Sequence, residues 1–220
     1  RKSCLYKLKL VKREKRLKGW LFLFSVLLIF GCSEEGLNSD EARLIKSGKA
    51  TEKMRVFTIE NSSDSLFLRQ PTRKIEKENI NSKLITLLRK RMLSTVTDID
   101  NEGVGIAAPQ VGVGVKLILV QRFDKAGEPV EPYFNPEIKV YGDSVNAGFE
   151  GCLSVPGYRG SVSRSQNIEV SYLDSTGKKQ REEINGFVAV IFQHEIDHLS
   201  GIMYYDHVFG GFDALLPYKE

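Results

Sequence analysis

An α+β fold, with mixed and antiparallel strands packed around a long C-terminal helix, follows from three features of the 220-residue sequence. Residues 115–120, VKLILV, form a short apolar run rich in β-branched side chains, the mark of a buried strand. Residues 168–172, IEVSY, alternate apolar and polar, as a strand with one buried face does. The third feature is a helical stretch over 185–199, where Ile191 and Leu199 help form an apolar stripe. Strands grouped ahead of one long helix, rather than alternating with helices, indicate α+β. A chain of this length holds one domain with a substantial core.

Composition excludes two broad classes. At 41% hydrophobic and 27% charged, the chain is neither a disordered tail nor a multi-span membrane protein. The sequence pI of about 8.9 suggests a nucleic-acid partner, but the charge is unevenly placed. Nine of the 32 Lys and Arg fall in the first nineteen residues, against the single acid Glu14. From Cys32 onward 23 basic residues face 27 acidic ones, a formal net charge near −4. The basic character belongs to the leader, so no nucleic-acid partner is expected.

That leader spans residues 1–31. Its basic part is followed by WLFLFSVLLIFG, an apolar run of twelve residues, too short to cross a bilayer and of signal-peptide length. The run ends at Cys32 and resembles a bacterial lipoprotein signal, although Phe30 stands where a small residue is usual. A lipidated Cys32 would hold the body at a membrane surface. An uncleaved anchor is the alternative, and without a working leader the protein is expected in the cytoplasm. Residues 32–65 are polar with no firm period and read as a tether, which places the domain at 66–220.

Within that domain a turn is expected near Pro71. Ile80, Leu84, Leu87, Leu88 and Met92 then recur at helical spacing, predicting an amphipathic helix over 79–95. The buried strand at 115–120 leads to a turn at 124–127. A second strand begins at 134–138, with Pro136 where no ladder donor is needed. Strand 168–172, the turn at 174–177 and strand 179–184 make a hairpin. Asn185 is placed to cap the last helix, and Gly201 to end it in the left-handed region. No internal repeat appears.

On the last helix His194 and His198 are four residues apart and share a face, with Glu195 beside the first. The chain has three histidines in all, so the pairing is not a by-product of a histidine-rich surface. A buried hydrogen-bonded pair is the bland reading; metal ligation is the sharper one. A catalytic site of this kind wants a third protein ligand. Asp206, Glu220 and His207 lie downstream without supporting context. Upstream, EGCLSVP at 150–156 holds Cys152, the one cysteine outside the leader and its end. Three cysteines make no disulfide framework here, so Cys152 is a ligand or a buried small hydrophobe. A third unusual stretch is GVGIAAPQ, residues 103–110. Its glycines allow close backbone approach, so a peptide can lie there as an added strand, or it forms a tight structural turn. It is no phosphate loop, because no Gly-Lys-Ser/Thr follows.

GVGIAAPQ, EGCLSVP and QHEIDHLSG, in this order, closely resemble the three signature motifs of peptide deformylases. The likeness runs over about 66–208 and includes Asn135-Pro136-Glu137. It implies a peptide deformylase-like fold and hydrolysis of the formyl group from N-formylmethionyl peptides or nascent proteins, with release of formate. It also implies Cys152, His194 and His198 as ligands of one ion per chain, Fe(II) by family precedent or Zn(II). Glu195 becomes the general acid/base, while Gln110 and the Leu153 N–H donate to the oxyanion. Val104, Gly105 and Gly151 match positions whose backbone holds the peptide, and Ile191 with Val104 and His194 would line the methionine pocket. Arg164 matches the arginine that pairs with Glu150 and supports the cysteine strand; Ser163 replaces a frequent Pro. A monomer is expected. Two rivals stand beside this reading: a membrane-tethered zinc endopeptidase, and a silent deformylase-like module that binds N-terminal peptides.

Overall fold

A computed structural model describes residues 36–101 and 103–218. The leader and Cys32 lie outside the described residues. The element order is α1 (Ser39–Lys46), α2 (Ser62–Leu68), α3 (Lys83–Val96), β1 (Gly105–Ala107), β2 (Leu117–Gln121), β3 (Val130–Tyr141), β4 (Val145–Cys152), β5 (Val155–Ser165), β6 (Asn167–Leu173), β7 (Lys179–Asn185), α4 (Gly186–His198) and β8 (Leu216–Pro217). Two antiparallel sheets result, one in the order β1-β2-β3-β6-β7 and one in the order β4-β5-β8. The expected α+β class is the observed one. Among the described residues no helix is long and apolar enough to cross a membrane.

The β1–β2 end of the five-stranded sheet is buried on both faces, which is why β2 reads as a continuous apolar run. Leu117 and Leu119 pack with Leu84, Ile85, Leu88 and Met92 of α3. Ile118 and Val120 point the other way and pack with Val188, Ile191 and Phe192 of α4. A strand's period of two thus divides one hexapeptide between two cores.

Other elements fall close to expectation. The helix predicted over 79–95 starts at Lys83, where the Ser82 hydroxyl accepts from Ile85 N at 3.3 Å. Residues 134–138 are the centre of the longer β3. There Asn135 adopts a left-handed φ of 50°, and its carboxamide bonds both Ile75 N and Ile75 O at 2.8 Å. The β6–β7 hairpin forms as predicted. Asn185 stands at the start of α4 but makes no side-chain cap there; its oxygen accepts from the Asn167 amide instead. Gly201 is left-handed at φ 73°, and a Cβ there would lie 2.4 Å from Arg69 O, so glycine is required twice over.

The tether expected over 32–65 is wrong from Leu37 onward. Leu37, Ala42, Ile45 and Met54 are buried with the α3 core. Asn38 caps α1 by accepting from Asp40 N and Glu41 N, and Glu41 returns a bond to Asn38 N. Buried Arg91 reaches from α3 to the last carbonyls of α1, Leu44 O at 2.9 Å and Ile45 O at 3.0 Å. Helices of eight and seven residues are too short to display a firm period, and their polar faces dominate the composition. The boundary placed at 66 falls inside α2.

The segment between α1 and α2 also touches what the sequence marked as functional. Phe57 N donates to Gln110 O at 2.7 Å, and Ile59 N donates to Ser154 O at 2.9 Å. Because α1 belongs to the core, Ile45→Ala should cost about 2–5 kcal/mol of stability in a denaturant titration; a loose tether would make the substitution neutral.

Candidate active site

Helix α4 presents His194 and His198 one turn apart, their ring centroids 5.1 Å from each other. Cys152 is the last residue of β4, where the register slips between Gly151 and Cys152 and the chain turns into β5. One ligand atom from each of Cys152, His194 and His198 lies within 4.8 Å of the others. Cys152 Sγ is 3.3 Å from His198 Nε2. His194 Nδ1 is 2.8 Å from Glu150 Oε2, which leaves Nε2 for an ion. A thiolate and two imidazoles in mutual reach, one imidazole oriented by a carboxylate, fit a divalent transition metal.

The support behind His194 is built from adjacent strands. Glu150 on β4 and Arg164 on β5 point to the buried side of their sheet and form a two-pronged pair, Nε to Oε1 at 2.8 Å and Nη2 to Oε2 at 3.1 Å. Burial works to raise the Glu150 carboxyl, but its hydrogen bonds to His194 and Arg164 outweigh that and hold it at about 2. The same guanidinium donates through Nη1 to Asp197 Oδ2 at 2.6 Å, and Asp197 also meets His207 Nε2 at 2.9 Å. Here His207 stands outside the ligand set, as its spacing suggested.

Glu195 lies against β1. It is 4% exposed, and its Oε2 has no hydrogen-bond partner among the described residues. Burial pushes its carboxyl up to about 7. Gly105 makes the fit possible: a Cβ there would sit 2.6 Å from Glu195 Oε1 and 2.9 Å from Ile191 Cγ2. Gln110, on a 3-10 turn (Ala108–Val111), is fixed at both ends of its carboxamide. Its Oε1 accepts from Ala107 N at 2.8 Å, and its Nε2 donates to Ser154 Oγ at 3.3 Å and approaches Cys152 Sγ at 3.5 Å.

Val104, Gly105, Gln110, Gly151, Leu153 and Ile191 all line one cleft of about 950 Å³, together with Cys152, His194 and Glu195. His198 and Arg164 stand behind it. Gly151 is not crowded by its own fold, since a Cβ would meet only Tyr158 O at 3.7 Å; its open side belongs to the cleft. Sequence reasoning missed Ser154, Asp197 and Tyr204, whose ring stacks on His194 at 6.1 Å. Asp197 carried a usable signal, lying three residues after His194 on the same helical face.

A buried carboxylate and a fixed carboxamide flanking a Cys-His-His donor set define a metal-dependent hydrolase. Comparison with known proteins makes the class specific. The family model of polypeptide deformylase matches residues 55–210, and the chain belongs to that family. A peptide deformylase of Picosynechococcus sp. is 42% identical over 143 residues, 64% of this chain and 73% of that one. One of Symbiobacterium thermophilum is 51% identical over 104 residues, 47% of each. Among solved structures, the class I type b peptide deformylase of Acinetobacter baumannii with Met-Ala-Ser bound superposes with a TM-score of 0.64 at 32% identity, covering 72% of this chain and 99% of that one. The Thermotoga maritima peptide deformylase gives 0.62 at 30% identity with the same coverage. The chain is therefore a metal-dependent amide hydrolase that removes the formyl group from N-terminal formylmethionine and releases formate. Neither the endopeptidase nor the silent-module reading finds support in these comparisons.

Gly105→Ala should displace the Glu195 carboxylate and lower kcat for formate release by about two orders of magnitude. Metal analysis of the variant should still find one ion per chain.

Proposed function

We propose that the formyl amide is cleaved at the Cys152–His194–His198 centre, with Glu195 as proton carrier and Gln110 as oxyanion donor. The observation that carries this is the meeting of three ligand atoms within 4.8 Å beside a buried, unpartnered carboxylate oxygen. A divalent ion there supplies Lewis acidity and makes water a nucleophile at neutral pH. Thiolate and imidazole donors suit both Fe(II) and Zn(II); Fe(II) is our reading by family resemblance, with Zn(II) second.

Glu195 takes the proton of the attacking water and delivers it to the leaving amine. Gln110 Nε2 and the Leu153 N–H donate to the oxygen that gains charge in the tetrahedral state. The Ala107 bond to Gln110 Oε1 keeps that carboxamide from turning, so the donor is in place before reaction. Val104, Gly105 and Gly151 offer main-chain groups to a peptide lying as an added strand. Val104 and Ile191, with one face of His194, receive the methionine side chain. Glu150 and Arg164 keep the His194 ring in its liganding orientation. The substrate is an N-formylmethionyl peptide or nascent chain, nucleic acid plays no part, and the enzyme works as a monomer.

Formate release from formyl-Met-Ala-Ser by the Fe(II)- and Zn(II)-loaded chain, with a chelator control, tests the assignment. Cys152→Ala should abolish turnover. Gln110→Ala should cost about a hundredfold in kcat, the usual worth of one oxyanion donor. Glu195→Gln should cost more while the ion stays bound. Cleavage of internal peptide bonds that survives Cys152→Ala would sink the scheme.

The basic stretch, the apolar run and Cys32 support export and lipidation at a membrane surface. Metabolic lipid labelling should be lost in Cys32→Ser; labelling that persists would refute lipidation at Cys32, and a parent chain that takes no label would leave the cytoplasm or an uncleaved anchor.

A further inference from the structure

The wall of the cleft away from the metal ligands carries a feature that catalysis does not use. Arg159 on β5 pairs in register with Gly151, one residue from Cys152. Its guanidinium lies over the Phe149 ring at 5.0 Å and over the Tyr218 ring at 5.3 Å. The second aromatic is brought there by the last strand, since β8 pairs Leu216 with Arg159 and Tyr218 N donates to Gly157 O at 2.8 Å. All three side chains line the cleft, with Phe149 61% and Tyr218 50% exposed. No carboxylate among the described residues lies within ion-pair distance of Arg159.

Other charges of the cleft are already committed. Glu150 is held by Arg164 and His194, Glu195 is buried, and Asp100 faces Lys53 Nζ at 3.2 Å. Among the described residues Arg159 is the one lysine or arginine lining the cleft. Contact with two rings restricts its planar fork while its N–H edge meets no acceptor among the described residues, which lowers the entropy lost when an anion binds.

Its distance from the ligand cluster matches one part of an extended substrate that runs along this wall. Phe149 lies three residues before Cys152, about 10 Å along a strand rising about 3.3 Å per residue. An extended peptide with its formyl carbon at the ligand cluster places its third residue about 9–10 Å away at the same rise. Resting on the hydrolytic assignment above, we propose that Arg159 is a specificity-determining residue that binds a carboxylate at the third residue of the formylated peptide. That carboxylate is an Asp or Glu side chain, or the free C-terminus of a tripeptide.

The test compares kcat/KM of the metal-loaded full chain for three peptides at low salt: formyl-Met-Ala-Ser amide, formyl-Met-Ala-Asp amide and formyl-Met-Ala-Ser free acid. A carboxylate should gain about five- to tenfold, mainly in KM, as one charge-assisted contact at a partly exposed site provides. The gain should shrink as salt rises. A preference for the Asp amide assigns the contact to a side chain, and one confined to the free acid assigns it to a chain terminus. In Arg159→Gln the ratio should fall to about one, and Arg159→Glu should favour formyl-Met-Ala-Lys amide instead. Each ratio is taken within one variant, so partial misfolding does not alter it. A ratio near one in the parent enzyme, or one unchanged in Arg159→Gln, would overturn the proposal. Absence of formate from all three peptides would overturn the hydrolytic assignment and this inference with it.

Discussion

The buried link from Arg164 through Glu150 to His194 is the interaction on which the rest of the site depends. It joins the small sheet to α4, because Glu150 and Arg164 sit on neighbouring strands while His194 and Asp197 sit on the helix. Taking these charges out of water is expensive, and the expense is recovered only when each oxygen and N–H has a partner. Here Arg164 serves two carboxylates, and Glu150 shares its oxygens between a guanidinium and an imidazole. Helix rotation and strand position are thereby set together. The Cys152 thiol arrives opposite His198 for the same reason, since Cys152 follows Glu150 by two residues and shares its strand face.

Around that link the structure removes freedom from each reacting group separately. Gly105 lets β1 approach the Glu195 carboxylate closely enough to exclude other packing. Ala107 N and Ser154 hold the two ends of the Gln110 carboxamide. The chain between Phe57 and Ile59 is bonded to the main chains of Gln110 and Ser154 and so joins the Gln110 turn to the cysteine turn. Phe57 is held in turn by the Phe67 ring of α2 at 5.4 Å and by Arg55 above it. Catalytic groups must be placed before reaction, because reorganising them during it would raise the barrier. The N-terminal helices therefore contribute to chemistry although none of their side chains enters the cleft.

Part of the site was legible from residue types and spacing. His194 and His198 at four residues with Glu195 between them pointed to metal ligation but left Cys152 a ligand or a buried small hydrophobe, and the likeness to a known family chose Cys152 and supplied Gln110 and Arg164. The main elements were legible where burial imposes a period, as in α3 and the β6–β7 hairpin, or an unbroken apolar run, as in β2. Residues 37–65 were not legible, because the helices of eight and seven residues bury only two apolar side chains and one, respectively. The attachment of the first helix is completed by Arg91 and Glu41, buried charged residues that composition assigns to the surface.

Strands β4 and β5 escaped sequence reading for a different reason. From Val145 to Phe149 every residue of β4 is exposed, so no alternation of apolar and polar marks the strand. Its free edge and open face border the cleft, so the residues there have no core to pack against. Gly151 leaves room beside the ligand cysteine, while Phe149 and Arg159 form a stacked wall that Tyr218 completes from the far end of the chain. Periodicity detects what a protein packs against itself. A strand that borders an open cleft lacks that period, so a search for buried faces passes it over.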